Sequence, residues 1–426
     1  MADFLTDYLT YVNGTESPRV YYRWSAITAI GALLGRSLYI PFGHSKLYPN
    51  FYSMLLGDPG AGKSVAIKTT KLLFRDAGYT TFSADRSSRE KFLLDLDGSD
   101  DSSAASLAGK VKNGQDITEI NLWGADRNEK DPAEVFIVAD EWNEFVSAGN
   151  IDFYTTLGNL WDWNDESAPY TDKVKNSKSV SIYQPTISLL GGNTQENFAR
   201  AFPPEILGHG FLARLLLIHG TPTGRKITFP VTPSQEATGI IVERIREIQK
   251  RAFARRGELL VTNSARALIE DIYISHTGVK DPRFKGYNNR RRVHLLKLCI
   301  ITSAVMRVES ITEEVVIYAN TMLSAIEITM PLSIGEFGKS KHSDVSHKII
   351  EALNAAKAPM TVKQLWTVVR KDLDRIVLLG EILNNLQLAE KVQYIKDKGW
   401  LPRKEVAAEV KLVDWSLLTE EERNVL

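Results

Sequence analysis

FYSMLLGDPGAGKSVAIKTTKLLF, residues 51–74, is the stretch whose reading decides the fold. Within it Gly57, Asp58, Pro59, Gly60, Ala61, Gly62, Lys63 and Ser64 satisfy every fixed position of G-x-x-x-x-G-K-[ST]. The flanks supply the context the motif needs. Phe51 to Leu56 is an aromatic and aliphatic run of strand length. After Ser64, the apolar Val65, Ile67, Leu72, Leu73 and Phe74 sit among Lys68 and Lys71 with helical spacing. A loop joining a buried strand to a helix N-terminus offers successive backbone N–H groups and the positive end of the helix dipole, which favours phosphate. The expected ligand is a nucleoside triphosphate, with Lys63 reaching the β- and γ-phosphates and the Ser64 hydroxyl on Mg²⁺. The plainer reading, a chance glycine-rich turn, does not explain the two flanks.

Residues 133–146, AEVFIVADEWNEFV, supply acids. Val135 to Ala139 are all apolar, the pattern of a central parallel strand buried on both faces. The run ends at Asp140 and Glu141. An acid at the tip of such a strand can hold the metal shell, and its neighbour can polarise an attacking water. We assign Asp140 to the metal and Glu141 to the water; the alternative is Asp140 as a simple cap on a helix from Trp142 to Val146. The 77 residues separating Lys63 from Asp140 leave room for an extra strand, expected near Tyr79 to Phe82, and a helix from Ser87 through Leu96. The Asp-, Ser- and Gly-rich segment that follows, about 97–130, has little apolar surface to bury and reads as a mobile insertion.

In PTISLLGGNT, residues 185–194, Thr186 to Leu190 form a further apolar strand and Asn193 falls just past its tip. In the AAA+ class of P-loop ATPases a polar residue at that place, sensor 1, bonds the γ-phosphate or the attacking water; otherwise Asn193 is a turn residue after two glycines. Next, FPPEILGHGFLARLLLIHG carries Arg214 directly before a strand from Leu215 to His219. Such a charge usually pairs with a carboxylate, but it can also reach a neighbouring subunit's site and stabilise a transferring phosphoryl group. Arg200, between Asn193 and the same strand, is the rival for that finger.

Lys63 with Ser64, Asp140 with Glu141, Asn193 and Arg214 come in AAA+ order. PPEILGHGFLARLLLI resembles the arginine-finger segment of minichromosome-maintenance-type helicases. Over about residues 20–325 the chain resembles a phage and prophage family of primase–helicase-type P-loop ATPases, known mainly as a domain of unknown function. The resemblance rests on a Trp-containing helix (Trp24 to Gly35) and on LYPNFYSMLLGDPGAGKS, VADEWNEF and ISLLGGNTQENF. It implies an α/β fold: a P-loop NTPase (AAA+-like) core with a parallel sheet, followed by a helical lid. It also implies ATP and Mg²⁺ as cofactors, single-stranded or forked DNA as substrate, a homo-hexamer, and a primase or polymerase partner.

Composition excludes several other classes. Lys plus Arg and Asp plus Glu are 52 each, so no global basic field points to nucleic acid and any such contact must be local. A single cysteine, Cys299, rules out intramolecular disulfides and cysteine-rich metal sites. The histidines form no H-E-x-x-H or other paired ligand spacing. The opening MADFLTDYLTYVNGTE is acidic and lacks a signal peptide's basic and apolar regions. The longest apolar run, Leu298 to Met306, contains polar residues and is too short to span a bilayer. We therefore expect a cytoplasmic protein with no membrane partner, in the host cytoplasm if phage-encoded.

The remaining chain divides by pattern. Residues 1–45 form an N-terminal helical segment packed on the core, with Trp24, Ile27, Ile30, Leu33 and Leu34 on a broad apolar face that Gly35 ends; they leave no room for a polymerising primase domain. The ATPase core spans 46–225. Residues 226–335 form the lid, with helices from Ser234 to about Arg256, Ser264 to Ser275, Asn289 to Arg307 and Thr312 to Ile328. One of Arg290, Arg291 and Arg292 is a candidate sensor 2, a lid arginine on the γ-phosphate; a solvated basic face is the alternative. Residues 340–426 read as a winged-helix domain. In it Thr361 and Gln364 match a capping box, and two strands flank 397–399 with Lys391, Lys396, Lys398, Arg403 and Lys404 nearby and Trp400 available for stacking. It docks either DNA or protein.

Inside the core, YTDKVKNSKSVSIY, residues 170–183, alternates around a turn. Lys173, Lys175 and Lys178 would track phosphates if the hairpin lines a pore, or blunt an exposed edge if it does not. The function expected is an ATP-hydrolysing motor on DNA, a hexameric replicative helicase of a phage or prophage. The alternatives are a DNA-remodelling ATPase or helicase loader without unwinding activity, and a nucleotide-switched interaction protein.

Overall fold

Tyr52–Leu56 is buried at every position, and so is Thr186–Asn193. Strands covered on both faces cannot alternate apolar with polar, and their near-continuous apolar runs specify a parallel sheet with helices on either side. The computed structural model describes residues 3–97, 132–146, 149–163, 168–172, 179–202, 210–335, 343–356, 358–388, 391–396, 398–402 and 412–426. It is a mixed α/β structure in two contact units, Met1–Gly335 with Lys411–Leu426, and Glu336–Val410.

In the larger unit, β1 (Leu38–Phe42) pairs antiparallel with β2 (Ser45–Leu47). β3 (Tyr52–Leu56), β4 (Glu134–Ala139), β7 (Thr186–Asn193) and β8 (Leu215–His219) make a four-stranded parallel sheet in the order β4-β7-β3-β8. The short hairpin of β5 (Tyr170–Asp172) and β6 (Val180–Ile182) stands apart from it. Register brings the carboxyl ends level, since Leu56 lies opposite both Asn193 and His219, and Ala139 opposite Gly191. The strand expected near Tyr79 to Phe82 is reduced to a single parallel bridge, Phe82 to Phe136. Beyond it Ser83 donates to Phe136 O and the chain leaves the ladder.

The Arg19–Leu34 helix departs from the single apolar face expected. Every residue except Val20 is buried, because the helix is surrounded. The sheet and the Lys63–Asp76 helix lie against it, as do the Phe4–Tyr11 and Gln235–Arg255 helices and the short Glu420–Arg423 helix. Its polar residues are therefore internal and bonded. Thr28 Oγ1 donates to Ser53 Oγ (2.7 Å), and Arg19 Nη1 donates to Val12 O (3.0 Å).

Residues 226–335 contribute the helices Gln235–Arg255, Asn263–Ser275, Lys285–Met306 and Glu313–Ser333. They belong to the same contact unit as the sheet, so the segments 1–45, 46–225 and 226–335 are not separate bodies. Glu313–Ser333 is long and apolar enough to cross a membrane by composition, but it packs on β8 and on Lys285–Met306 and is mostly buried there.

The boundary expected at 340–426 is corrected, because residues 411–426 return to the larger unit. Asn320 Nδ2 donates to Leu412 O, Asp414 N donates to Thr321 Oγ1, and Arg23 forks onto Glu422 at 2.6 and 2.7 Å with both side chains buried. The smaller unit holds the helices Ser343–Ala356, Val362–Val369 and Ile376–Leu388 and an antiparallel pair, Val392–Ile395 with Gly399–Pro402. The Thr361–Gln364 capping box is present. Trp400 is not free for stacking: it is 7% exposed in the core with Val345, Ile349 and Leu365. Tyr394, at 52% exposure, presents the outward ring instead. Arg403 and Lys404 lie outside the described residues.

The Arg23–Glu422 pair yields a stability prediction. Glu422→Ala strands a buried guanidinium and should cost about 3–5 kcal/mol in urea unfolding. Arg23→Met with Glu422→Leu together should recover most of it; an equal loss in both variants would show that packing, not the charge, is responsible. Burial acts to raise the Glu422 carboxyl, but Arg23 and Thr419 outweigh it and hold the group below its ordinary value. The stabilisation is therefore complete above the ordinary carboxylate range and is lost as pH falls through the lowered folded value.

Candidate nucleotide site

The Gly57–Ser64 loop is clamped at both ends by the segment that precedes and begins the Arg19–Leu34 helix. Gly62 precedes the Lys63–Asp76 helix in the left-handed region, φ 85°. A Cβ there would stand 2.2 Å from Ser17 Oγ, the hydroxyl that donates to Gly62 O (2.9 Å). Glycine is thus required twice at this position. At the other end the Tyr21 hydroxyl lies between Leu56 O (2.8 Å) and Gly220 O (2.9 Å) and shares its one proton between them, holding the ends of β3 and β8 together.

Lys63 opens the helix, where the first backbone N–H groups lack intrahelical partners. Its Nζ donates to Gly57 O and Asp58 O, both at 2.8 Å, so the lysine folds across the loop it follows. Burial lowers its pKa, and the nearby Glu141 and Asp58 oppose that shift. An anion in the loop would favour the charged form further. Asp58, Pro59 and Gly60 are exposed, Ala61 is buried and Ser64 is half-buried.

Asp140 and Glu141 follow β4 at the same edge. Glu141 is exposed and makes the turn into the short Trp142–Phe145 helix; it is Glu141, not Asp140, that occupies the cap position there, with no capping bond from its side chain. Asp140 pairs with Lys68 (2.6 Å), one turn further along the loop's own helix. Asn193 is the last residue of β7 rather than a residue past its tip, and is 1% exposed. Its Nδ2 donates to Asn143 Oδ1 (3.0 Å) and its Oδ1 accepts from Thr194 N (3.0 Å). The strand order sets β7 between β3 and β4, so Asn193 stands between the loop and the acids.

Other expected residues are not brought to this edge. Arg214 precedes β8, whose first residue lies opposite Tyr52, at the far end of the sheet. It donates to Gly210 O (2.7 Å) and pairs with Asp162 (3.0 Å), with its side chain 11% exposed. Arg290 shares Asp162 (3.0 Å). Arg291 is buried against Glu327 (2.7 Å) and Asn320 (2.9 Å). Arg292 lies over the rings of Phe42 and Tyr273. Only Arg291 is held in a buried network; Arg290 and Arg292 keep partly exposed partners. Arg200 is different: on the Gln195–Ala201 helix that leaves the carboxyl edge, its side chain is 69% exposed and its ion pair is with Glu196, one turn back. Lys173, Lys175 and Lys178, like nearly all of the insertion at 97–130, lie outside the described residues. The base of their hairpin is anchored, since Asp172 pairs with Arg89 and Ser181 N donates to Asp97.

Ser64 and Asp140 are among the hard oxygen donors of this edge, with Glu141 beside them, and no group of three or more His, Cys, Asp or Glu side chains forms a metal cage among the described residues. That set suits Mg²⁺, which takes one or two protein oxygens and fills its shell with water and phosphate oxygen. Four contributors escaped the sequence reading. Lys68 and Asn143 lie one helical turn or less from motif residues and were within reach of it; Ser17 and Tyr21 precede the loop by some forty residues and carry no local signal. No family model and no curated protein matches the chain.

Substitutions separate these roles. Lys63→Ala should abolish or cripple nucleotide binding, whereas Glu141→Gln should retain bound ATP and block its hydrolysis; parental turnover in the latter would remove Glu141 from the water. Lys68 competes with a divalent cation for Asp140, and such an exposed pair is worth about 0.2–1 kcal/mol. Lys68→Ala should therefore lower the Mg²⁺ concentration for half-maximal ATPase by up to about fivefold, and an unchanged Mg²⁺ curve would discard the competition.

Proposed function

We propose that this chain is an ATP-hydrolysing motor acting on DNA, built on an AAA+-like P-loop core, and that it works as a homo-hexameric replicative helicase. The observation that carries the reading is the level carboxyl edge of the parallel sheet. A glycine loop on a helix N-terminus, an acidic pair and a strand-end amide meet there in one strand order. Ligands of open α/β sheets bind outside the carboxyl ends of the strands.

In this reading the loop N–H groups hold the phosphates, and Lys63 transfers its donors from the Gly57 and Asp58 carbonyls to the β- and γ-oxygens. Ser64 and Asp140 hold Mg²⁺, whose charge offsets that developing on the phosphate oxygens. Glu141 accepts the proton of the attacking water. Asn193, braced by Asn143, orients that water. Exposure favours Arg200 over Arg214 as the residue that reaches a neighbouring subunit's γ-phosphate.

The DNA-facing part rests on the resemblance and on two features. One is the anchored β5–β6 pair, between whose strands the sequence places Lys173, Lys175 and Lys178. The other is the smaller unit, which we read as a winged helix with Lys391, Lys396 and Lys398 about its strand pair and Tyr394 outward. The tie of Arg214 to Asp162 and Gly210 favours a second reading, a nucleotide-switched protein with no trans finger.

Mixing experiments separate the two. In a ring, Arg200→Ala should bind ATP yet hydrolyse it on the order of a thousandfold more slowly. Mixed with Glu141→Gln, which is defective on its own, it should regain ATPase at interfaces that pair an intact Glu141 with an intact neighbouring Arg200. Single-stranded DNA should raise the parental rate, and particle mass should give the subunit number. A mixture no more active than its components, although subunits exchange, leaves the switch reading.

A further inference from the structure

We propose that the cavity walled by residues 418–426 is the nucleoside end of the nucleotide site, so that this segment closes over the base and its docking is coupled to nucleotide occupancy. The inference rests on the triphosphate reading above and adds to it where the base and sugar go and what holds them.

Position is the first argument. The cavity, about 290 Å³, is lined by Pro18 and by His219 to Thr223. Pro18 adjoins Ser17, the residue that bonds Gly62 O at one end of the loop. His219 and Gly220 close β8, and Gly220 O accepts the same Tyr21 hydroxyl as Leu56 O, the carbonyl just before Gly57. The cavity therefore begins one residue away from the contacts that clamp each end of the loop. A nucleotide with its phosphates on the loop has its base within reach of this space.

Size and chemistry agree. Ligand pockets start at about 300 Å³ and are mostly apolar with a few placed polar groups. This one suits a base with its sugar while the phosphates lie outside it. Trp24, Met322 and Ile326 give flat and methyl surface. His219 carries a buried Nδ1 with no hydrogen-bond partner among the described residues. Buried polar atoms are normally paired, so an orphan nitrogen on a residue of the cavity wall is a recognition group once the ring turns to meet a ligand. Burial also lowers the His219 pKa despite Asp58, keeping the ring neutral with one donor and one acceptor nitrogen.

The wall is a built structure. Glu422 is locked to Arg23, and Glu421 accepts from Arg19 N (2.7 Å) and pairs with Arg225 (3.0 Å). Arg225 in turn donates to Ser17 O (3.0 Å), which ties the wall to the residue that clamps Gly62. Val425 and Leu426, at 42% and 41% exposure, leave apolar surface at the rim for a base to cover. Because the segment follows the smaller unit in the chain, a base in this cavity stabilises the return of the chain after that unit, and by linkage the docked segment tightens nucleotide binding.

The test compares ATP with inorganic tripolyphosphate, which carries the phosphates and no nucleoside, on the full chain by calorimetry. Ala325→Trp fills the cavity from the Glu313–Ser333 helix, and His219→Phe removes the polar group at similar volume, so a folding failure in the first leaves the second. Both should weaken ATP by about tenfold or more, the scale for leaving a hydrogen-bonding site unpaired or blocked, and leave tripolyphosphate unchanged. ATP, but not tripolyphosphate, should also slow tryptic cleavage after Arg423. Parental ATP affinity in the folded variants, equal losses for both ligands, or cleavage indifferent to ATP overturns the proposal. A parent that binds neither ligand defeats the triphosphate reading itself, and this inference with it.

Discussion

The Tyr21 hydroxyl is the contact on which the position of the glycine loop depends. It lies where β3 and β8 both end and shares its one proton between the last carbonyl of β3 and that of Gly220, just past β8. Gly57 and Gly220 are the residues that let the ring approach. A Cβ on Gly57 would stand 2.3 Å from the hydroxyl oxygen, and one on Gly220 2.4 Å from the ring carbon that bears it. Burial pushes the phenol pKa up, so the group stays a donor at any physiological pH. A loop held this way has its first residue fixed by tertiary structure, and only its exposed middle, Asp58 to Gly60, is left to adapt to a ligand.

Tyr21 is itself placed by the helix that carries it. Arg19–Leu34 is buried on all sides, and a helix surrounded by apolar surface could slide or rotate among similar packings. Its internal polar groups remove that freedom, with Thr28 bonded to Ser53 on β3 and Arg23 to Glu422. A buried ion pair scarcely recovers the desolvation of its two charges, so its value lies in setting register more than in net stability. Two elements distant in the chain, β3 and residues 411–426, are thereby read out at the one helix that holds the loop.

Local signals account for what was legible. The strand Leu215–His219, the helix at Arg19–Leu34, the capping box at Thr361 and the antiparallel pairing of β5 with β6 depend on runs, caps and alternation within a few residues, and the structure has them. The loop, Asp140 with Glu141, and Asn193 do lie at one edge, because parallel strands put their carboxyl ends together. Long-range pairing was not legible. Arg23 and Glu422 lie 399 positions apart, and nothing near either names the other. A polar-rimmed aromatic also misled: Trp400 read as a stacking platform, although it is internal. Arg214 pairs with Asp162, as a charge before a strand usually pairs with a carboxylate, but nothing in its local sequence says which carboxylate that is.

The two ends of the sheet differ in how their charges are held, and on the proposed reading that difference bears on where a ligand would exchange partners. At the amino end Arg214 and Arg290 share Asp162, while Lys297 donates to Asn50 and lies over the Trp161 ring, its pKa driven well below the ordinary lysine value by burial. Groups bonded this way in low dielectric are rigid, and moving any of them strands another. They fix the Lys285–Met306 helix against the start of β3 and β8. At the carboxyl end the donors and acceptors are held loosely. Lys63 rests on two loop carbonyls, Asp140 on a surface lysine, and Glu141 is exposed. Exchanging those partners for phosphate, metal and water costs little, because none of them is a buried ion pair. A residue meant to move during turnover belongs to the second group, and Arg200, whose one ion pair is with exposed Glu196, has that character where Arg214 does not.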